Sequence, residues 1–158
     1  MTVVAVLADP PRDGLVATDL ADSTPLSTAE AAELYEAAFR DAVLAVDRSG
    51  GELLVNYPAA DQLPAPHRAA SSPEATLRAL VADTLGGTES ARFEPQVGSS
   101  FSARAGNTVT HLLREEDADS VAVVTPTAPL LSRSIVDAAA MKLRTTQVVL
   151  GPSTRGRT

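Results

Sequence analysis

The chain has 158 residues, 44% of them hydrophobic, with thirteen basic side chains against twenty acidic ones, a net charge of −7 and no cysteine. That is one domain's worth of chain, long enough to bury a sizeable core. The lack of cysteine removes disulfides and thiolate chemistry, and the acidic balance disfavours nucleic acid and anionic membrane as partners.

Val3 to Leu7 is a short run with valine at three of five positions, stopped by Asp9-Pro10-Pro11, and is predicted as the first strand. Gly14 follows in a polar turn. Ser27-Thr-Ala-Glu30 has the spacing of a capping box, in which serine and glutamate each satisfy a backbone amide of the first helical turn. Ala31, Leu34, Tyr35, Ala38, Ala42 and Val46 then recur at helical spacing, and Ser49-Gly50-Gly51 ends that helix.

Leu53 to Tyr57 is predicted as the second strand, and the proline-rich stretch from Ala59 to Ser72 as a surface loop. Ser72-Pro73 opens a helix whose inner stripe is Leu77, Leu80, Val81 and Leu85. A third strand is expected over Ala91 to Glu94. A helix follows from Ser100 to Leu113, with Phe101, Ala105, Thr108 and Leu112 on one face. Val121 to Val124, four consecutive apolar residues, reads as a strand buried on both faces and is expected at the centre of the sheet. Ser132 starts a helix with Ile135, Val136, Ala139 and Leu143 inward, and Gln147 to Leu150 is predicted as a last strand.

Strands alternating with helices imply an α/β fold with a parallel sheet. Val4, Val6, Leu34, Ala38, Leu54, Leu77, Leu80, Leu112, Val123, Ile135 and Val149 are the expected core. No apolar run approaches the roughly 20 residues of a membrane span, and no basic segment precedes an apolar one at the amino terminus. A cytoplasmic location is therefore expected. Of the basic residues only Lys142 is lysine, and this acid-rich, alanine-rich composition resembles that of proteins from salt-loving archaea. An acidic protein from a GC-rich genome is the plainer alternative.

In open α/β sheets ligands sit beyond the carboxyl ends of the strands. That places Asp9, Asn56, Gln96, Thr125, Thr127 and the Ser153-Thr154-Arg155 stretch near a prospective site. Asp9, before two prolines, reads first as a turn former. His67 and His111 have no second ligand at metal spacing, and Glu115, Glu116, Asp117 and Asp119 read as a solvated charge run at the amino edge. Gly98 to Arg104, with Ser100 opening a helix, can receive a phosphate on free amides or can be a plain serine cap. Arg12 with Gly14 is a second phosphate candidate. No residue is assigned a catalytic role, and no metal ligand is assigned.

Four stretches carry a family resemblance. They are Pro11-Arg-Asp-Gly-Leu-Val-Ala-Thr-Asp-Leu20 with the helix after it, Gln96 through Arg104, Thr125 through Leu130, and Val148-Val-Leu-Gly-Pro-Ser-Thr-Arg-Gly156. In order and spacing the chain resembles a family of bacterial and archaeal glycosyltransferase-like proteins of unknown function, distantly related to archaeal phospholactate guanylyltransferase. The resemblance implies the GT-A nucleotide-diphosphosugar transferase fold, with three layers around a Rossmann-like, mostly parallel sheet. It implies a nucleotide or nucleotide sugar as ligand, held by Arg12, Gly14, Gly98, Ser100, Arg104, Thr125, Thr127 and Arg155. A divalent ion, magnesium or manganese, is expected for the family. Here, however, Ala17 and Asp19 stand at its lysine and arginine, and Thr127 and Arg155 stand at two of its aspartates. The expectation is a transferase-like protein with a degenerate catalytic motif, with a non-catalytic binding or interaction module as the alternative. The 158 residues are expected to form one such domain lacking the acceptor-binding part, and its uncovered apolar surface is expected to favour self-association.

Overall fold

The computed structural model describes residues 1–68 and 71–151. Four strands, β1 (Thr2–Leu7), β2 (Glu52–Tyr57), β3 (Ala91–Pro95) and β4 (Ser120–Val124), form one fully parallel sheet in the order β3-β2-β1-β4. The helices are α1 (Thr18–Ser23), α2 (Thr28–Asp47), α3 (Pro73–Leu85), α4 (Phe101–Arg114) and α5 (Arg133–Leu143).

Side-chain alternation splits each strand between two cores. Val4, Val6 and Ala8 of β1 and its exit join Leu53 and Val55 of β2 against Phe39, Val43 and Val46 of α2, Leu77 and Val81 of α3, and Val136 of α5. On the other face Val3, Ala5, Leu7 and Leu54 pack against Leu112 of α4. The result is three layers, with α2, α3 and α5 on one side of the sheet and α4 on the other.

The local signals explain the helix starts. Ser27 accepts from the Glu30 amide while the Glu30 carboxylate accepts from the Ser27 amide at 2.8 Å, and Ser72 and Ser100 accept from the amides three residues on. Gly86 ends α3 at φ 81°, a left-handed cap that glycine takes without penalty.

Several expectations are corrected. Among the described residues β4 lies at an edge, hydrogen-bonded to β1 alone, and all five of its residues are half-buried. Its continuous apolar run reflects helices over both faces and says nothing about lateral neighbours. The centre belongs to β1 and β2. Leu34 and Ile135 are about half exposed, as is Phe101. In α2 the row through Tyr35, Phe39, Ala42, Val43 and Val46 faces the sheet, which turns Leu34 outward and leaves Ala38 on the flank. Leu80 and Val123 are half-buried. Gln147 to Leu150 forms no strand, and Val148 and Leu150 are largely exposed, with Val149 half-buried. A β-prone run becomes a strand only where an edge is within reach. The turn after Gly14 contains α1, entered through Ala17 at φ 52°. No helix among the described residues is long and apolar enough to cross a membrane.

Candidate functional site at the carboxyl edge of the sheet

The chain builds β1, β2 and β3 outward in one direction and then places β4 on the other side of β1. The connections leaving β1 and β4 therefore diverge, and the crevice between them is where this architecture receives ligands. The β1 exit, Ala8 to Gly14, and the β4 exit, Thr125 to Leu131, flank it, and the first turn of α4 brings Arg104 towards the β1 exit.

Asp9 and Arg104 give the crevice its character. Burial lifts the Asp9 carboxyl above its ordinary range, while the charge of Arg104 pulls it down. The Asp9 amide donates to the Tyr35 hydroxyl at 3.0 Å, which fastens the β1 exit to α2. Arg104 is half-buried, its Nε is out of contact with water, and its side chain has no hydrogen bond or ion pair among the described residues. A cation in that state is energetically exposed, because a charged donor loses water without gaining an acceptor.

The other candidates are committed elsewhere to different degrees. Arg12 donates from both terminal nitrogens to the carbonyls of His67 and Ser71, so its charge ties down the proline-rich loop. Gly14 takes φ 70°, and its amide neighbour Leu15 donates back to the Arg12 carbonyl at 3.0 Å, closing the turn. Ser100 caps α4, its hydroxyl accepting from the Ala103 amide at 3.2 Å. Gly98, at φ 138°, lies so close to α4 that a Cβ there would stand 2.9 Å from the Ala103 Cβ and from the Arg104 amide nitrogen. Glycine thus lets the loop seat against the turn that carries Arg104. Thr125 and Thr127 share a hydrogen bond of 2.7 Å in a turn closed by the Ala128 amide on the Thr125 carbonyl. Arg155, with Ser153 and Thr154, lies outside the described residues.

Asn56 and Gln96 belong to the frame of the site. Asn56, 2% exposed, donates to the Glu94 carbonyl at 3.1 Å and accepts from Thr108 at 2.9 Å. Gln96 donates to the Asn56 carbonyl at 2.6 Å. These bonds lock the ends of β2 and β3 to α4 and so hold the helix that presents Arg104. Sequence position alone put both residues at this edge; their burial is a tertiary fact with no signal in the local pattern.

Among the described residues this edge is a poor fit for a divalent ion of the magnesium or manganese kind. Such ions take several oxygen ligands, carboxylates foremost. Among the described residues the β4 exit carries only side-chain hydroxyls that bond each other, and the β1 exit offers two carboxylates, Asp9, which feels the charge of Arg104, and the exposed Asp13. No step is therefore routed through a metal at this edge.

No protein-family model matches the sequence, and no curated protein matches it. Among solved structures the chain is similar to one from Desulfovibrio desulfuricans G20 described as a "putative nucleotide-diphospho-sugar transferase", with a TM-score of 0.73 and 18% identity, covering 91% of this chain and 55% of that one. The chain thus spans about half the length of that neighbour. At this identity the likeness concerns the fold, and the fold is α/β of the nucleotide-diphosphosugar transferase type.

Proposed function

We propose that the protein binds a nucleotide or nucleotide sugar in the crevice between the β1 and β4 exits, with the Arg104 guanidinium meeting its phosphates and no metal bridging them. The observation that carries this reading is the partnerless, buried Nε of Arg104 beside Asp9 at the switch point of the sheet. A phosphate would supply the acceptors that the protein withholds from this fork, and a planar guanidinium suits phosphate oxygens in pairs. The similarity in fold to a transferase-type structure is consistent with it.

Catalysis is degenerate in this reading. Among the described residues the β4 exit brings no carboxylate to face Asp9 and Asp13 across the crevice, and Arg12 is bound to loop carbonyls. Asp9, with its carboxyl raised by burial, is the titratable side chain this reading places to move a proton. The alternative is a binding or interaction module that uses the fold without a nucleotide, favoured by the mutual bonding of Thr125 and Thr127.

Calorimetric titration of nucleoside diphosphates and nucleotide sugars, with and without manganese, separates the readings. The expected result is binding that is insensitive to manganese and weakened at least tenfold by Arg104→Ala. Tightening by manganese of tenfold or more, about 1.4 kcal/mol of coupling, would overturn the metal-free site. Absence of binding by every nucleotide tried would favour the interaction module.

A further inference from the structure

Among the described residues only α4 covers the second face of the sheet, and along β2 and β3 that face turns polar. Glu52, Arg92 and Glu94 point from it, and they gather with His111 from the last turn of α4 and Glu116 just beyond. Arg92 reaches Glu52 at 3.0 Å and Glu116 at 2.8 Å and contacts Glu94, while His111 Nε2 lies 3.2 Å from Glu116. One guanidinium thus faces three carboxylates, leaving two negative charges in excess when the imidazole is neutral. One ligand atom each from Glu94, His111 and Glu116 lies within 4.8 Å of the others. Beside them a groove of about 250 Å³ runs between β3 and α4, lined also by Asn107 and Thr108.

We propose that Glu94, His111 and Glu116 form a binding site for one divalent transition-metal ion of the zinc class. An imidazole nitrogen with two carboxylates selects zinc, cobalt or nickel over magnesium and calcium, which take oxygen alone. Tetrahedral donors at about 2.0–2.1 Å from zinc stand roughly 3.4 Å apart, so the three groups close in by about an ångström. His111 is half exposed and Glu116 partly so, which leaves both the freedom to move and a path for the ion. The groove supplies the open side, where water or a small ligand completes the coordination. Arg92 competes for Glu94 and Glu116 but retains Glu52 when displaced, so it tempers affinity without closing the site.

The chain has only two histidines, His67 and His111, which makes the test clean. Chelator-treated protein without nucleotide is titrated with Zn²⁺ by calorimetry and with Co²⁺ by visible absorption. Proton NMR follows the imidazole signals. Expected are one ion per chain, selective loss of the His111 signals with Co²⁺ while those of His67 persist, and at least tenfold weaker Zn²⁺ binding in His111→Gln. Arg92→Gln, which removes the competing cation, should strengthen it. Zn²⁺ binding of equal strength in wild type and His111→Gln, equal perturbation of both histidines, or no binding would overturn the proposal. The NMR arm needs no variant and stands even if a substitution unfolds the chain, and none of these outcomes depends on whether the crevice at Arg104 takes a nucleotide.

Discussion

Removing the side chain of Asn56 tests whether the frame beneath the crevice has been understood. In Asn56→Ala the Thr108 hydroxyl and the Glu94 carbonyl lose their partners at once. Each orphaned buried group costs about 1–3 kcal/mol, and the small void adds about 1 kcal/mol. The groove beside Thr108 admits water, which favours the low end, so the expected loss is about 3 kcal/mol. For a chain of this size that lowers Tm by about 6–12 °C and removes a large share of a typical total of about 5–15 kcal/mol. Urea unfolding followed by circular dichroism at pH 7 measures it. Adding Thr108→Val should cost little more, since the orphaned hydroxyl is then gone.

Asn56→Asp gives the sign of the effect. The aspartate sets a carboxylate against the Glu94 carbonyl and must keep a proton to donate to it. Its folded pKa lies above the unfolded value of about 3.9, so the folded state binds the proton more tightly and stability falls as pH rises through the folded pKa. The variant should therefore lose ground to wild type as pH rises from about 3.9 until the folded pKa is passed. A loss below about 1 kcal/mol for Asn56→Ala, or an Asn56→Asp variant as stable relative to wild type at pH 8 as at about pH 3.9, would refute the network as the element that locks β2, β3 and α4 together.

Gly98→Ala should cost about 2 kcal/mol, because its φ of 138° strains any residue with a Cβ and the methyl meets Ala103 and the Arg104 amide at 2.9 Å; a change within about 0.5 kcal/mol in the same unfolding assay would mean the loop moves freely. Asp9→Asn should stabilise the protein at pH 7. The wild-type carboxyl is raised, so its contribution is most favourable below its ordinary pKa of 3.8 and is lost as pH rises through the folded pKa. The difference between variant and wild type should grow with pH over that window and then level off, and a less stable variant at pH 7 would show that the Asp9 charge is needed. Phe39→Ala should cost about 3–5 kcal/mol and Leu34→Ser less than about 0.5 kcal/mol, and the reverse order would put the helix phase of α2 back where the spacing alone suggested.

How much of this was legible follows from the range over which each signal acts. The caps at Ser27 and Ser72 are contacts within four residues, so the sequence states them outright, whereas Ser100 reads equally as a cap or a phosphate loop, and the α/β alternation follows from element order alone. The phase of α2 was harder, because its many alanines make a broad apolar face on which Leu34 and Phe39 both qualify. Only the opposing surfaces of β1, β2 and α3 choose between them. The rank of β4 in the sheet depends on which strand reaches the edge of β1, and a run of valines carries no record of that.

The site was less legible than the fold for a related reason: the sequence shows where arginines are, but not what each one holds. Arg40, Arg78, Arg92 and Arg133 pair with carboxylates, and Arg12 and Arg68 donate to backbone carbonyls. Arg48, Arg114 and Arg144 are exposed, where water satisfies them. Arg104 alone among the described residues combines partial burial, a dry Nε and no partner. A hydrogen bond to a charged group contributes about 1.5–3 kcal/mol, and this guanidinium forgoes at least one in the free protein. An anion entering the crevice would recover that amount without first breaking an internal ion pair. The same anion at Arg12 would have to compete with two carbonyls that hold the loop. Along the chain Arg12 with Gly14 reads as the weaker of two similar candidates, and the cost of freeing each arginine gives that order a physical reason.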